Sequence, residues 1–158
     1  PATLTHLTFS LKFNQPLAPG TLPTGLTHLT FGRFNHPLAP GTLPPGLTHL
    51  NFSRFNKPID AGVLPATLSH LTFGRFNKPI EAGVLPSTLT HLTFGEKYNQ
   101  LISPGVLPER LTHLTFGYGF NHPFYPGVLP SRLTHLRLLN TDYVFRDQIP
   151  SHLHVSFI

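Results

Sequence analysis

The chain has 158 residues, of which 39% are hydrophobic and only 11% charged, with a formal net charge of +5. That length suits one domain, and so little charge leaves solubility to Thr, Asn, Ser and His. The lack of cysteine excludes a disulfide framework, thiolate chemistry and a zinc-finger ligand set, while no apolar run approaches the ~20 residues of a membrane helix.

Prolines at Pro1, Pro23, Pro44, Pro65, Pro86, Pro108, Pro130 and Pro150 divide the chain into units of 20–22 residues. A unit that short cannot bury its own apolar side chains and must stack on copies of itself. The expected organisation is a single repeat domain over 1–158. Seven strand-bearing units start near Pro1, Pro23, Pro44, Pro65, Pro86, Pro108 and Pro130, and residues 139–158 form a divergent, cap-like C-terminal segment. The chain opens within a repeat and contains no Met, as expected of an excerpt from a longer protein.

The first apolar column is a Leu (Leu4, Leu26, Leu47, Leu68, Leu89, Leu111, Leu133), and a second Leu stands three residues on, from Leu7 to Leu136. Two further on stands Phe9, Phe31, Phe52, Phe73, Phe94, Phe116 or Leu138. L-x-x-L-x-F is the strand signature of a leucine-rich repeat. Alternation points Leu7 and Phe9 inward and turns His6 and Thr8 outward. Next comes a corner with a second aromatic column (Phe13, Phe34, Phe55, Phe76, Tyr98, Phe120) and an Asn column (Asn14, Asn35, Asn56, Asn77, Asn99, Asn121). The Asn side chains are expected to be buried and bonded to backbone of their own and the adjacent unit.

The return side is rich in proline, which forbids an α-helix there. Pro19-Gly20, Pro40-Gly41, Pro104-Gly105 and Pro126-Gly127 suit the centre of type II turns. An extended or polyproline-like return is expected, with a short second strand or a 3₁₀ turn at most and only slight curvature.

The recurring FGxFN or FGxxFN followed by xP, on a 21–22-residue period from Pro1 to about Pro130, resembles the FNIP repeat. That family belongs to the leucine-rich repeats and is known mainly from social amoebae and giant DNA viruses. The resemblance implies an all-β, right-handed leucine-rich-repeat solenoid with a parallel concave β-sheet and a non-helical convex side. It also implies a role in protein recognition, in some members beside an F-box, which is not visible here. No catalytic motif or cofactor comes with it.

Departures are local. Glu96–Leu101 loses the FNxP proline, and after Leu136 the motif dissolves, with one more strand expected at His154–Phe157. The uncapped first strand at Leu4–Phe9 and the apolar Ile158 leave bare edges, so end-to-end self-association is an open expectation.

Three outward columns are free to recognise something. His6, His28, His49, His70, His91, His113 and His135 form an imidazole ladder at about the 4.8 Å strand spacing. Simple surface stacking is the preferred reading. A pH switch and a metal site stay open, although parallel rings converge poorly and no acid shares the column. Thr8, Thr30, Asn51, Thr72, Thr93 and Thr115 lie beside it, ended by Arg137. A further hydroxyl column, Thr5, Thr27, Thr48, Ser69, Thr90, Thr112 and Thr134, is expected to bond local backbone. Lys12, Arg33, Arg54, Arg75 and Lys97 make a basic rim, partly relieved by neighbouring acids.

The expected function is a non-enzymatic protein-interaction module that presents the His, Thr and Asn51 columns, with Arg33, Arg54 and Arg75 steering an acidic partner. Nucleic-acid binding along the rim is disfavoured, because the charge is modest and the aromatics face inward. A structural, self-associating spacer is a further alternative. No membrane partner is expected, and with no signal peptide an intracellular setting fits.

Overall fold

A computed structural model describes residues 4–157; the Pro1 mark and the apolar Ile158 lie outside that range. Strands β1 His6–Phe9, β2 His28–Phe31, β3 His49–Phe52, β4 His70–Phe73, β5 His91–Phe94, β6 His113–Phe116, β7 His135–Leu138 and β8 His154–Phe157 form one sheet in chain order. All neighbours pair in parallel, and each His faces the next His along the whole series from His6 to His154. The all-β leucine-rich-repeat solenoid read from the sequence is the fold. Register holds because a one-residue slip would turn every buried Leu and Phe to solvent.

Behind the sheet, the Leu26 to Leu133 and Leu29 to Leu136 columns are almost wholly buried, as are Phe31, Phe52, Phe73, Phe94, Phe116 and Leu138. Strand Phe rings stack on the next unit at 5.1–5.9 Å and on the corner aromatic of their own unit at 3.8–4.7 Å. Such pairs contribute roughly 0.5–1.5 kcal/mol each beyond the area they bury. The corner column runs from Phe13 to Phe120 at 6.2–6.4 Å and continues onto Tyr143, 6.2 Å from Phe120.

Ring spacing also fixes the sense of curvature. On the outward face the His rings stand only 4.1–4.4 Å apart, less than either Phe column. The units therefore splay from the His face toward the Phe corner, and the His face is the concave side.

On the return side a tight turn closes each unit, with the N–H of Thr21, Thr42, Val63, Val84, Val106 and Val128 donating to the carbonyl three residues back. Its third residue is the positive-φ Gly20, Gly41, Gly62, Gly83, Gly105 or Gly127. The turn thus survives where Ala61 and Ala82 replace proline, because the glycine alone supplies the left-handed residue. Among the described residues no second strand forms here, and the one 3₁₀ turn is Arg146–Gln148. Proline leaves too few backbone donors for a ladder.

The expected burial of the Asn column needs correction. Asn14, Asn99 and Asn121 are exposed, and Asn35, Asn56 and Asn77 are half-buried. Their bonding is nonetheless regular. Each Oδ1 accepts the backbone N–H of the next unit at 2.8–3.3 Å, from Asn35 N–H onto Asn14 through to Val144 N–H onto Asn121. Water can reach the amide while the oxygen clamps neighbouring units.

Candidate functional site on the concave face

Every strand from β1 to β7 is preceded by Thr or Ser, whose hydroxyl lies 2.9 Å from Nδ1 of the following His. From Thr27 to Thr134 that hydroxyl also lies 3.0–3.2 Å from the corresponding carbonyl of the preceding unit. The Thr5 column was expected to bond local backbone; its bond reaches across to the neighbouring unit.

These distances select a tautomer. A hydroxyl has one proton. If it went to the ring, two oxygens would face each other at hydrogen-bond distance with no hydrogen between them. Donating to the carbonyl instead lets the hydroxyl accept from Nδ1–H, so every contact holds a proton. On this hydrogen-bond argument the rings from His28 to His135 are assigned as Nδ1–H tautomers, with the Nε2 lone pair turned away from the hydroxyl.

Burial and, secondarily, the charge of other rings in the column hold His28, His49, His70, His91 and His113 below the ordinary imidazole range. At neutral pH these five rings are mainly neutral and form an ordered stack. Its lone pairs run side by side, and among the described residues no group of three His, Cys, Asp or Glu could hold a metal ion.

Beside the ladder, Thr30, Thr72, Thr93 and Thr115 are half-buried, whereas Thr8 and Asn51 are exposed. Asn51 and Thr30 join His28, His49 and His70 around a recess of about 270 Å³. The basic rim lies elsewhere, where Arg33, Arg54 and Arg75 share a recess of about 250 Å³ with Asn14 and Asn35. Glu96 lies 4.0 Å from both Arg75 and Lys97, in exposed pairs that contribute little stability. Among the described residues Arg33 and Arg54 have no acidic partner.

The structure adds His154 and Ser156 on β8, which extend the His and Thr columns by one unit. The signal lay in HLHVSF, obscured because the final unit lacks one residue between Leu153 and His154 where earlier units carry Thr or Ser. The hydroxyl–imidazole pairing is a second feature that sequence reasoning missed, its only signal being the Thr-His or Ser-His dipeptide in every earlier unit.

No curated protein matches the chain. Among solved structures, the circular leucine-rich-repeat protein CroV588 is similar over 98% of this chain, at 45% identity and a TM-score of 0.92. The chain spans 24% of the length of that protein. The FNIP Repeat family matches residues 1–33, 34–76, 55–97, 76–119 and 98–141. With the motif matched from end to end of those units and the fold matched over nearly all the chain, this protein belongs to the FNIP-repeat family of leucine-rich-repeat proteins.

Proposed function

We propose that the chain is a non-catalytic recognition module that binds another protein along its concave face. The observation that carries this reading is the column of pinned imidazoles. Their Nε2 acceptors have no partner among the described residues, and their rings are already held in place. Binding to such a surface orders few side chains, which lowers the entropic cost of association.

The contact residues in this reading are His6, His28, His49, His70, His91, His113 and His135, with Thr8, Thr30, Asn51, Thr72, Thr93 and Thr115. The partner should supply donors to the ring nitrogens, from backbone amides or hydroxyls. Arg33, Arg54 and Arg75 would speed the approach of an acidic partner by long-range attraction, an effect that fades with salt. The close match to a circular protein, together with the splay of the units, also suits a segment of a longer curved coil.

The test is affinity capture from extract of the source cells, with the wild-type chain and with His49→Ala, His70→Ala, His91→Ala. Proteins retained by the wild type should disappear from the triple variant, which should keep its circular-dichroism spectrum. An unchanged set of retained proteins would remove the concave face from consideration.

A further inference from the structure

The regular face breaks at its C-terminal end, and three separate departures fall at one place. The first is Arg137, which replaces the Thr of the second outward column and is the only Lys or Arg on the outward face of the eight strands. It pairs in register with Thr115 on one side and Ser156 on the other, so a hydroxyl flanks it on each neighbouring strand. Among the described residues Arg137 makes no hydrogen bond or ion pair of its side chain. Nearby Arg146 is engaged by contrast, donating to the carbonyls of Tyr143 and Thr141 and lying over the Phe157 ring.

The second departure is His154. Where His113 and His135 stack at 4.4 Å and 4°, His135 and His154 meet at 5.4 Å and 64°. The cause is the missing hydroxyl residue: Leu153 precedes His154, so nothing pins Nδ1, and the ring turns edge-on with both nitrogens free. The third is shape. A recess of about 290 Å³, close in size to the one over His28, His49 and His70, is here bounded by His113, His135, His154, Arg137, Thr115 and Ser156. It alone of the two holds a guanidinium and the edge-on ring, with no carboxylate in its lining.

We propose that this recess binds a phosphoryl group. Arg137 offers a planar fork suited to two oxygens. Thr115 and Ser156 add hydroxyl donors from opposite sides, and His154 adds a ring N–H from a third direction. Donors spread in this way match a tetrahedral group with three terminal oxygens better than a flat carboxylate with two. The guanidinium also repels any metal cation that the three imidazoles might attract. The ligand is a phosphomonoester or free phosphate, which share this chemistry.

The experiment is NMR titration at pH 6.5 of the wild-type chain and of Arg137→Thr. This substitution installs the Thr found at the same place in β1, β2, β4, β5 and β6 and so leaves folding intact. The probes are inorganic phosphate, N-acetyl-phosphoserine amide and, as a two-oxygen control, acetate. Phosphate should shift the resonances of β7 and β8, acetate should not, and Arg137→Thr should weaken phosphate binding at least tenfold. Tighter binding of the phosphoserine amide than of phosphate would assign the site to a phosphorylated side chain; the reverse would assign it to the free ion. Equal phosphate binding by both chains, shifts confined to the Arg33–Arg75 rim, or no shift at all would overturn the proposal. Loss of capture in the His49, His70, His91 variant bears on the concave-face reading and leaves this site untouched.

Discussion

At the scale of single residues, the repeat reveals which positions are compromises. Thr42 is 1% exposed, and its hydroxyl is the one buried side-chain polar atom without a partner among the described residues. The same position holds Val63, Val84, Val106 and Val128 in later units, all buried. Thr42→Val keeps the shape and removes an unsatisfied hydroxyl, so it should stabilise the protein by about 1–2 kcal/mol. A urea denaturation curve checks this, and an unchanged or lower midpoint would show that the hydroxyl has a partner after all. Thr90 is the opposite case. Its hydroxyl joins the Ser69 carbonyl to the His91 ring. Thr90→Val should cost about 1 kcal/mol, the usual value of a net hydrogen bond, and should free His91 to populate both tautomers, readable from its ring ¹⁵N shifts. Sequence alone showed the Thr column but not its geometry, because a Thr beside a His also reads as ordinary strand propensity.

At the scale of elements, turns were the most legible feature and the chain end the least. Gly105 has a φ of 82° in the turn from Ser103 to Val106. Space does not limit the site, since a Cβ there would meet nothing within 4 Å. Gly105→Ala should therefore destabilise by about 1–2 kcal/mol through the left-handed backbone alone, measured by thermal melting; an unchanged Tm would mean the turn had relaxed to another type. The Asn column was readable as a bonded ladder, yet its exposure was not, because sequence does not show how far a corner projects past the next unit. Beyond Leu138 the motif residues vanish while the coil goes on. Tyr143 stacks as the corner aromatic, donates its hydroxyl to the His122 carbonyl, and leaves Val144 to bond Asn121. A different residue type filled the same place, so matching letters missed what packing retained.

Over the whole molecule, the five central imidazoles of the concave column, His28 to His113, share one direction of shift. In the folded chain the central imidazoles lie below the ordinary value near 6.5, whereas the unfolded chain titrates at about that value. Below about pH 6.5 the unfolded state thus binds more protons. The resulting stability is complete above that pH and is lost as pH falls toward the lowered values of the folded rings. Tm should hold level from pH 7.5 to about 6.5 and decline progressively from there to about pH 5, and a His49→Gln, His70→Gln, His91→Gln variant should flatten the decline. An equal slope in both chains would place the titration elsewhere. The same column must also be uniform and preformed if it is to serve as a recognition surface. The most direct test is a long-range ¹H–¹⁵N correlation spectrum of the histidine rings at pH 8. Rings from His28 to His135 should show protonated Nδ1 and unprotonated Nε2, while His154 should show a mixture. Protonated Nε2 along the column, or tautomer averaging in the central units, would contradict a surface fixed by its hydroxyl pins.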